Sequence, residues 1–161
     1  MEYLHDLHPE AGLLPSCPER RAVVRMISEL ITSGIQPLQV RGGGRGGGGG
    51  GKGLKCCDDQ TPRVMKHHSA DPAERQAWAH HWISGGFSAL ESLLLTTAGL
   101  YCVGDTLTMA DCCLVPQVFN AKRWGVDLAD YPTIAAIEAR LSQLEPFVKA
   151  SPANQPDCPK E

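Results

Sequence analysis

The stretch that decides the fold runs from Tyr101 to Leu128, YCVGDTLTMADCCLVPQVFNAKRWGVDL. Within it, Thr108-Met109-Ala110-Asp111 has the pattern of a capping box. The Thr108 hydroxyl is placed to accept from the Asp111 amide, and the Asp111 carboxylate to reach back to the Thr108 amide. Leu107 and Cys112 stand where a hydrophobic staple would close over the first turn. The residues that follow (Met109, Ala110, Cys112, Cys113, Leu114, Val115, Val118 and Phe119) are apolar on nearly every side. A helix of that kind belongs in the middle of a core. Its first amides find no water there, and the box supplies their acceptors. Pro116 falls inside the same helix and removes one backbone bond, which predicts a kink near Cys112.

Helical periodicity extends outward from that segment. Glu19 to Leu38 carries Ala22, Met26, Ile27, Leu30, Ile31 and Gly34 on one stripe, and Ser16 with Glu19 gives an S-x-x-E start. Asp71-Pro72-Ala73-Glu74 opens another helix with a cap, a proline at the first helical position and an acid in the first turn. Trp78, Trp82, Gly86, Leu90 and Leu94 then recur every fourth residue, widened by Ile83, Phe87 and Leu93. Pro132 starts a further helix with Ile134, Ile137, Leu141 and Leu144 inward. Three prolines between Ser151 and Glu161 predict an extended tail. No segment alternates as a strand does, so the fold class is all-α.

Composition narrows the function classes. The 161 residues suit one domain, and a net charge of −3 gives no pull toward nucleic acid or an anionic membrane. No apolar run is long enough to span a bilayer, and the residues after Met1 do not have a signal-peptide pattern. Seven cysteines, with two adjacent pairs and no C-x-x-C, read as reduced thiols in a cytosolic protein, a mitochondrial location being the alternative.

The capping box, preceded by Y-C-V-G-D and followed by L-V-P-Q-V, resembles the C-terminal helical domain of glutathione transferases. The surrounding text resembles the zeta class, the maleylacetoacetate isomerases: E-Y-L at Glu2 to Leu4, L-L-P at Leu13 to Pro15, R-A-V-V-R-M-I-S from Arg21, G-I-Q-P-L-Q from Gly34, and N-A-K-R-W-G-V-D-L from Asn120. The likeness covers residues 1–39 and 63–158. It implies a glutathione transferase C-terminal-like bundle over residues 13–150. Residues 1–12 would be the end of a thioredoxin-like domain and its linker, and residues 151–161 a tail. It also implies glutathione as cofactor, a dicarboxylic or α-halo acid as substrate, and a homodimer; charge, apolar-run length and histidine spacing point to no nucleic acid, membrane or metal ion.

Two departures qualify that expectation. The family's thiol-activating motif contains serine and cysteine, and no S-S-C occurs in these 161 residues. A thiolate needs pre-organised donors to lower its pKa. The chain alone is therefore expected to be inactive. The second departure is Val40 to Pro62, a Gly-rich insertion where ten of the chain's 17 glycines crowd positions 42–53. Each glycine costs a helix about 1 kcal/mol against alanine, so this stretch is expected to be a disordered linker. Its ends are compatible with splice-site codons, as a retained intron or a misjoined gene model would leave. An RNA-binding RGG tract is the weaker reading, because no aromatic residue interleaves the arginines.

Candidate site residues follow from the resemblance. Gln36 matches a glutamine that reaches glutathione; a C-terminal helix glutamine bonding spent carbonyls is the bland alternative. Arg63 falls in a segment that also touches glutathione in the family. Arg123 matches the arginine that holds a substrate carboxylate, where a guanidinium fork binds bidentately. Its bland alternative is a cation favoured by the helix dipole. Thr108 and Asp111 are structural. His67-His68 and His80-His81 lack the i, i+4 spacing of a metal pair and read as surface residues. Cys112-Cys113 reads as core filler, as do Trp78 and Trp82. A non-catalytic binding or assembly module of glutathione transferase type is the competing function class.

Overall fold

The structure, a computed structural model, describes residues 1–38 and 71–156. The glycine-rich insertion, Arg63, His67-His68 and the end of the tail lie outside the described residues. Six α-helices occur among the described residues: α1 Glu2–Leu7, α2 Pro18–Glu29, α3 Pro72–Thr97, α4 Met109–Arg123, α5 Pro132–Leu141 and α6 Glu145–Ala150. There is no strand among the described residues; one isolated bridge joins Ala98 and Gly104. The all-α architecture expected from the sequence is the one observed.

Helix α4 is central, and its N-terminus shows why. Both halves of the capping box are formed. Asp111 is fully buried. Its Oδ2 accepts from the Thr108 amide at 2.8 Å and from the Thr108 hydroxyl at 3.0 Å. Its Oδ1 accepts from the Cys102 amide at 2.9 Å. The Met109 amide donates to the Leu13 carbonyl at 2.8 Å, so the segment after α1 also closes this end. These partners satisfy donors that burial would otherwise orphan. Met109, Ala110, Cys113, Leu114, Gln117, Val118 and Ala121 are buried along α4. Phe119 is not: it is 51% exposed, so one face of this helix reaches the surface.

The apolar stripes of α2 and α3 differ from the expected ones. On α2 the buried residues are Val24, Ile27 and Ser28, continued by Ile31 and Ile35. Ala22 and Gly34 are exposed, as is Met26 at 49%. The helix also starts differently. Cys17 is the N-cap, without a side-chain cap bond, and Pro18 takes the first turn, so the Ser16 cap is not formed. After Glu29 the backbone widens into a π turn at Leu30–Ile35 and tightens into a 3₁₀ turn at Gln36–Leu38. The wider π turn follows Ala22 and Met26 and so bears only on Gly34; those two are exposed because α2 itself is rotated from the expected stripe.

On α3 the Asp71 cap forms as expected and accepts from the Ala73 amide at 3.0 Å. The inward line is Ala79, Ile83, Phe87, Leu90 and Leu94. Trp82 is 40% exposed and Trp78 packs at the core's margin, so the tryptophan pair is not core. Gly86 marks the closest approach to the π turn. A Cβ there would sit 2.4 Å from Ile35 Cγ1, inside any tolerable contact.

Helix α5 packs on α3 and α4 and buries Ile134, Ile137 and Leu141. Its own N-cap, Tyr131, contributes no side-chain bond. Glu91 of α3 does instead, accepting from the Thr133 amide at 2.7 Å and the Ile134 amide at 3.0 Å. The Tyr131 hydroxyl donates to the Ser84 carbonyl at 3.1 Å, and its ring meets Phe87 edge-on. The start of the expected extended tail instead forms a 3₁₀ turn at Pro152–Asn154.

Candidate functional site

The site candidates sit at the C-terminal end of the helix whose N-terminus Asp111 secures. The last turn of α4 carries Lys122 and Arg123. It closes in the Schellman manner: the Val126 amide donates to the Ala121 carbonyl at 3.0 Å and the Gly125 amide to the Lys122 carbonyl at 3.1 Å. Gly125 takes φ +78, the left-handed region that suits glycine. Val126 is buried and pins the exit.

The two cations of that turn have different fates. Lys122 Nζ pairs with Glu138 Oε1 of α5 at 3.0 Å. Arg123 is exposed, with no hydrogen-bond or ion-pair partner among the described residues. A guanidinium held at the end of a core helix and left unneutralised is available to an external carboxylate. The dipole of α4 also favours a cation there, as the bland reading requires, and the two effects coexist.

Gln36 opens the 3₁₀ turn after the π segment, its backbone amide donating to the Ile31 carbonyl. Its side chain is exposed and bonds no described residue, so the carbonyl-capping alternative is not what the amide does. Helices α2 and α4 run in the same sense. Arg20 lies beside Gly104, just before α4, and further along Ser28 meets Cys113. The π turn then contacts both α3 and α4. Gln36 and Arg123 therefore lie toward the same end of the bundle. Arg63 is outside the described residues.

The thiols of Cys102, Cys112 and Cys113 do not compete for a catalytic role. The four described cysteines, Cys17, Cys102, Cys112 and Cys113, are free. Burial pushes the Cys112 thiol up to about 11, with the Asp111 carboxylate adding to it. Burial likewise raises Cys113, and it raises Cys102 far beyond the ordinary thiol range. Thiols so shifted stay protonated at neutral pH and are poor nucleophiles. His80 and His81 are exposed; His81 meets Trp82 edge-on. Among the described residues no three His, Cys, Asp or Glu side chains group as a metal site. What spacing could not reveal was the Lys122–Glu138 pair, which separates the two cations only once α5 folds against α4.

No protein-family model matches the chain. Individual proteins do. It is 46% identical over 161 residues to the maleylacetoacetate isomerase of Mus musculus, a match covering 100% of this chain and 64% of the mouse protein. The maleylacetoacetate isomerase of Anaeromyxobacter dehalogenans, solved with GSH bound in its active site, superposes with a TM-score of 0.81 at 36% identity, covering 98% of this chain and 64% of that one. The holo structure of a maleyl pyruvate isomerase, a bacterial zeta-class glutathione S-transferase, gives a TM-score of 0.82 at 37% identity, covering 98% of this chain and 68% of that one. The class of protein is thus settled as glutathione transferase, seen here as its helical domain. Within that class, the chain belongs to the zeta family, that of the maleylacetoacetate and maleylpyruvate isomerases. It spans 61 to 64% of the length of the curated relatives it matches first.

Proposed function

We propose that this chain provides the substrate-facing helical part of a glutathione-dependent isomerase, which converts maleylacetoacetate to fumarylacetoacetate in phenylalanine and tyrosine breakdown. The observation that carries this reading is Arg123, exposed on the last turn of the core helix with no ion-pair or hydrogen-bond partner among the described residues. A dicarboxylate substrate needs such a group to hold the carboxylate away from its reacting double bond. Glutathione supplies reversible addition of sulfur to the cis double bond, which frees that bond to rotate. This chain's residues bind and orient. The Gln36 amide, free to donate and accept, fits a peptide-like cofactor, and Arg63 is assigned to the same cofactor on sequence alone. Activation of the thiol is assigned to a thioredoxin-like domain, as the family resemblance implies.

The whole protein tests the assignment. Arg123→Ala is expected to raise KM for maleylacetoacetate by about tenfold or more, the loss of one charge-assisted bidentate contact. KM for glutathione should hold. An unchanged substrate KM would refute the role of Arg123. The 161-residue chain alone is expected to show neither retention on glutathione resin nor turnover, and turnover by the chain alone would overturn the assignment of thiol activation to another domain.

Homodimerisation through α3 belongs to the same reading. From Gln76 to Thr97 its exposed face, including Trp82, Gly85, Ser88, Ala89, Ser92 and Leu95, carries no acidic or basic side chain apart from histidines. Uncharged helix faces suit subunit contact. Leu95→Glu should shift the mass measured by light scattering from dimer to monomer. No described helix is long and apolar enough to cross a membrane, and the free thiols support a reducing compartment such as the cytosol.

A further inference from the structure

We propose that Gly125 is a positioning residue for substrate binding: by ending α4 in a left-handed turn, it fixes the direction in which Arg123 presents its guanidinium. The proposal rests on the substrate reading of Arg123 given above.

Three observations converge on it. Gly125 holds φ +78, where a residue with a Cβ is strained. That conformation lets the Val126 amide reach back to the Ala121 carbonyl and the Gly125 amide to the Lys122 carbonyl. The hydrogen bonds therefore bracket Arg123 on both sides. Val126 is buried, and the Lys122–Glu138 pair ties the same turn to α5. Among the described residues Arg123 makes no hydrogen bond or ion pair that would hold it, so the backbone carrying it sets its direction. Space around Gly125 is not the constraint. Among the described residues a Cβ added there would meet only Gln76 Nε2, at an ordinary 3.7 Å. A substitution at this position thus probes backbone conformation rather than packing.

That separation provides the test. The Cβ that alanine and asparagine share meets no tight contact among the described residues, but asparagine tolerates the left-handed region far better. In the full 161-residue chain, NMR would follow the Arg123 Nε–H signal during titration with maleate, a minimal dicarboxylate. Hydrogen exchange would be read at the amides of Ala121 to Val126 and, for comparison, Leu114 and Val118. The expected result is a saturable shift at Arg123 in the wild type. Gly125→Ala should weaken maleate binding about tenfold, as expected when only a minor fraction of molecules keeps the competent turn. Gly125→Asn should stay within about twofold of wild type. Exchange in Gly125→Ala should quicken at Ala121 to Val126 alone, whereas a merely structural role would quicken Leu114 and Val118 as well. Wild-type maleate affinity in Gly125→Ala overturns the positioning role and leaves the substrate reading standing. No maleate response at Arg123 in the wild-type chain overturns both.

Discussion

The two ends of α4 solve opposite problems. At the N-terminus the backbone donors are buried, and a buried carboxylate, Asp111, accepts from the Thr108 amide, the Thr108 hydroxyl and the Cys102 amide. At the C-terminus backbone bonds close the turn, and Arg123 stays exposed and unpaired among the described residues. Thr108 and Asp111 are committed to stability at one end, while at the other Lys122 is tied to Glu138 and Arg123 is left uncommitted among the described residues. The lesson is that a functional residue gains its precision from a fixed backbone, while its own side chain remains uncommitted.

The contrast should break most visibly at Asp111. Asp111→Ala strands three buried donors and is expected to cost about 3–5 kcal/mol, enough to unfold a marginal domain. A urea midpoint close to wild type would show that water or neighbours replace the carboxylate. Glu91 is a milder version of the same device, because its carboxylate caps α5 from another helix. Glu91→Ala should lower stability by about 1–2 kcal/mol, measured by the same titration.

Cys112 allows a pH test of the buried end. Its thiol is raised from the ordinary 9.0 to about 11, so between those values the folded chain holds a proton that the unfolded chain has lost. The stability it contributes is fully present below pH 9 and is lost as pH rises through about 11. Cys112→Ser should flatten the decline of the melting temperature over that window. An unchanged slope would place the titration elsewhere. Arg123 should give the smallest effect on folding: Arg123→Ala is expected to change stability by no more than about 0.5 kcal/mol. A larger loss would mean that its main work is at the helix dipole rather than with a ligand.

Much of this was legible in the chain. The capping box at Thr108 and Asp111 is a local device with fixed spacing, and it formed as its spacing demanded. The Asp71 cap, the Pro132 start and the inward residues of α5 were equally local. Stripe assignments failed where geometry departed from a regular helix. The π turn at Leu30–Ile35 displaced Gly34, and a different rotation of α2 turned Met26 outward. Trp82 failed for another reason: the buried line of α3 is Ala79, Ile83, Phe87, Leu90 and Leu94, which leaves the every-fourth-residue line through Trp82 at the edge of the packed face.

The sequence by itself determined the helical class, the buried character of α4 and the family, because caps, periodicity and motif text depend on neighbours within a few residues. Only the tertiary structure decided that Lys122 is neutralised by Glu138 while Arg123 has no such partner among the described residues, that Glu91 caps a helix distant in sequence, and that Leu13 helps close the core helix. Those partners are remote along the chain, and which of them meet depends on how the helices pack.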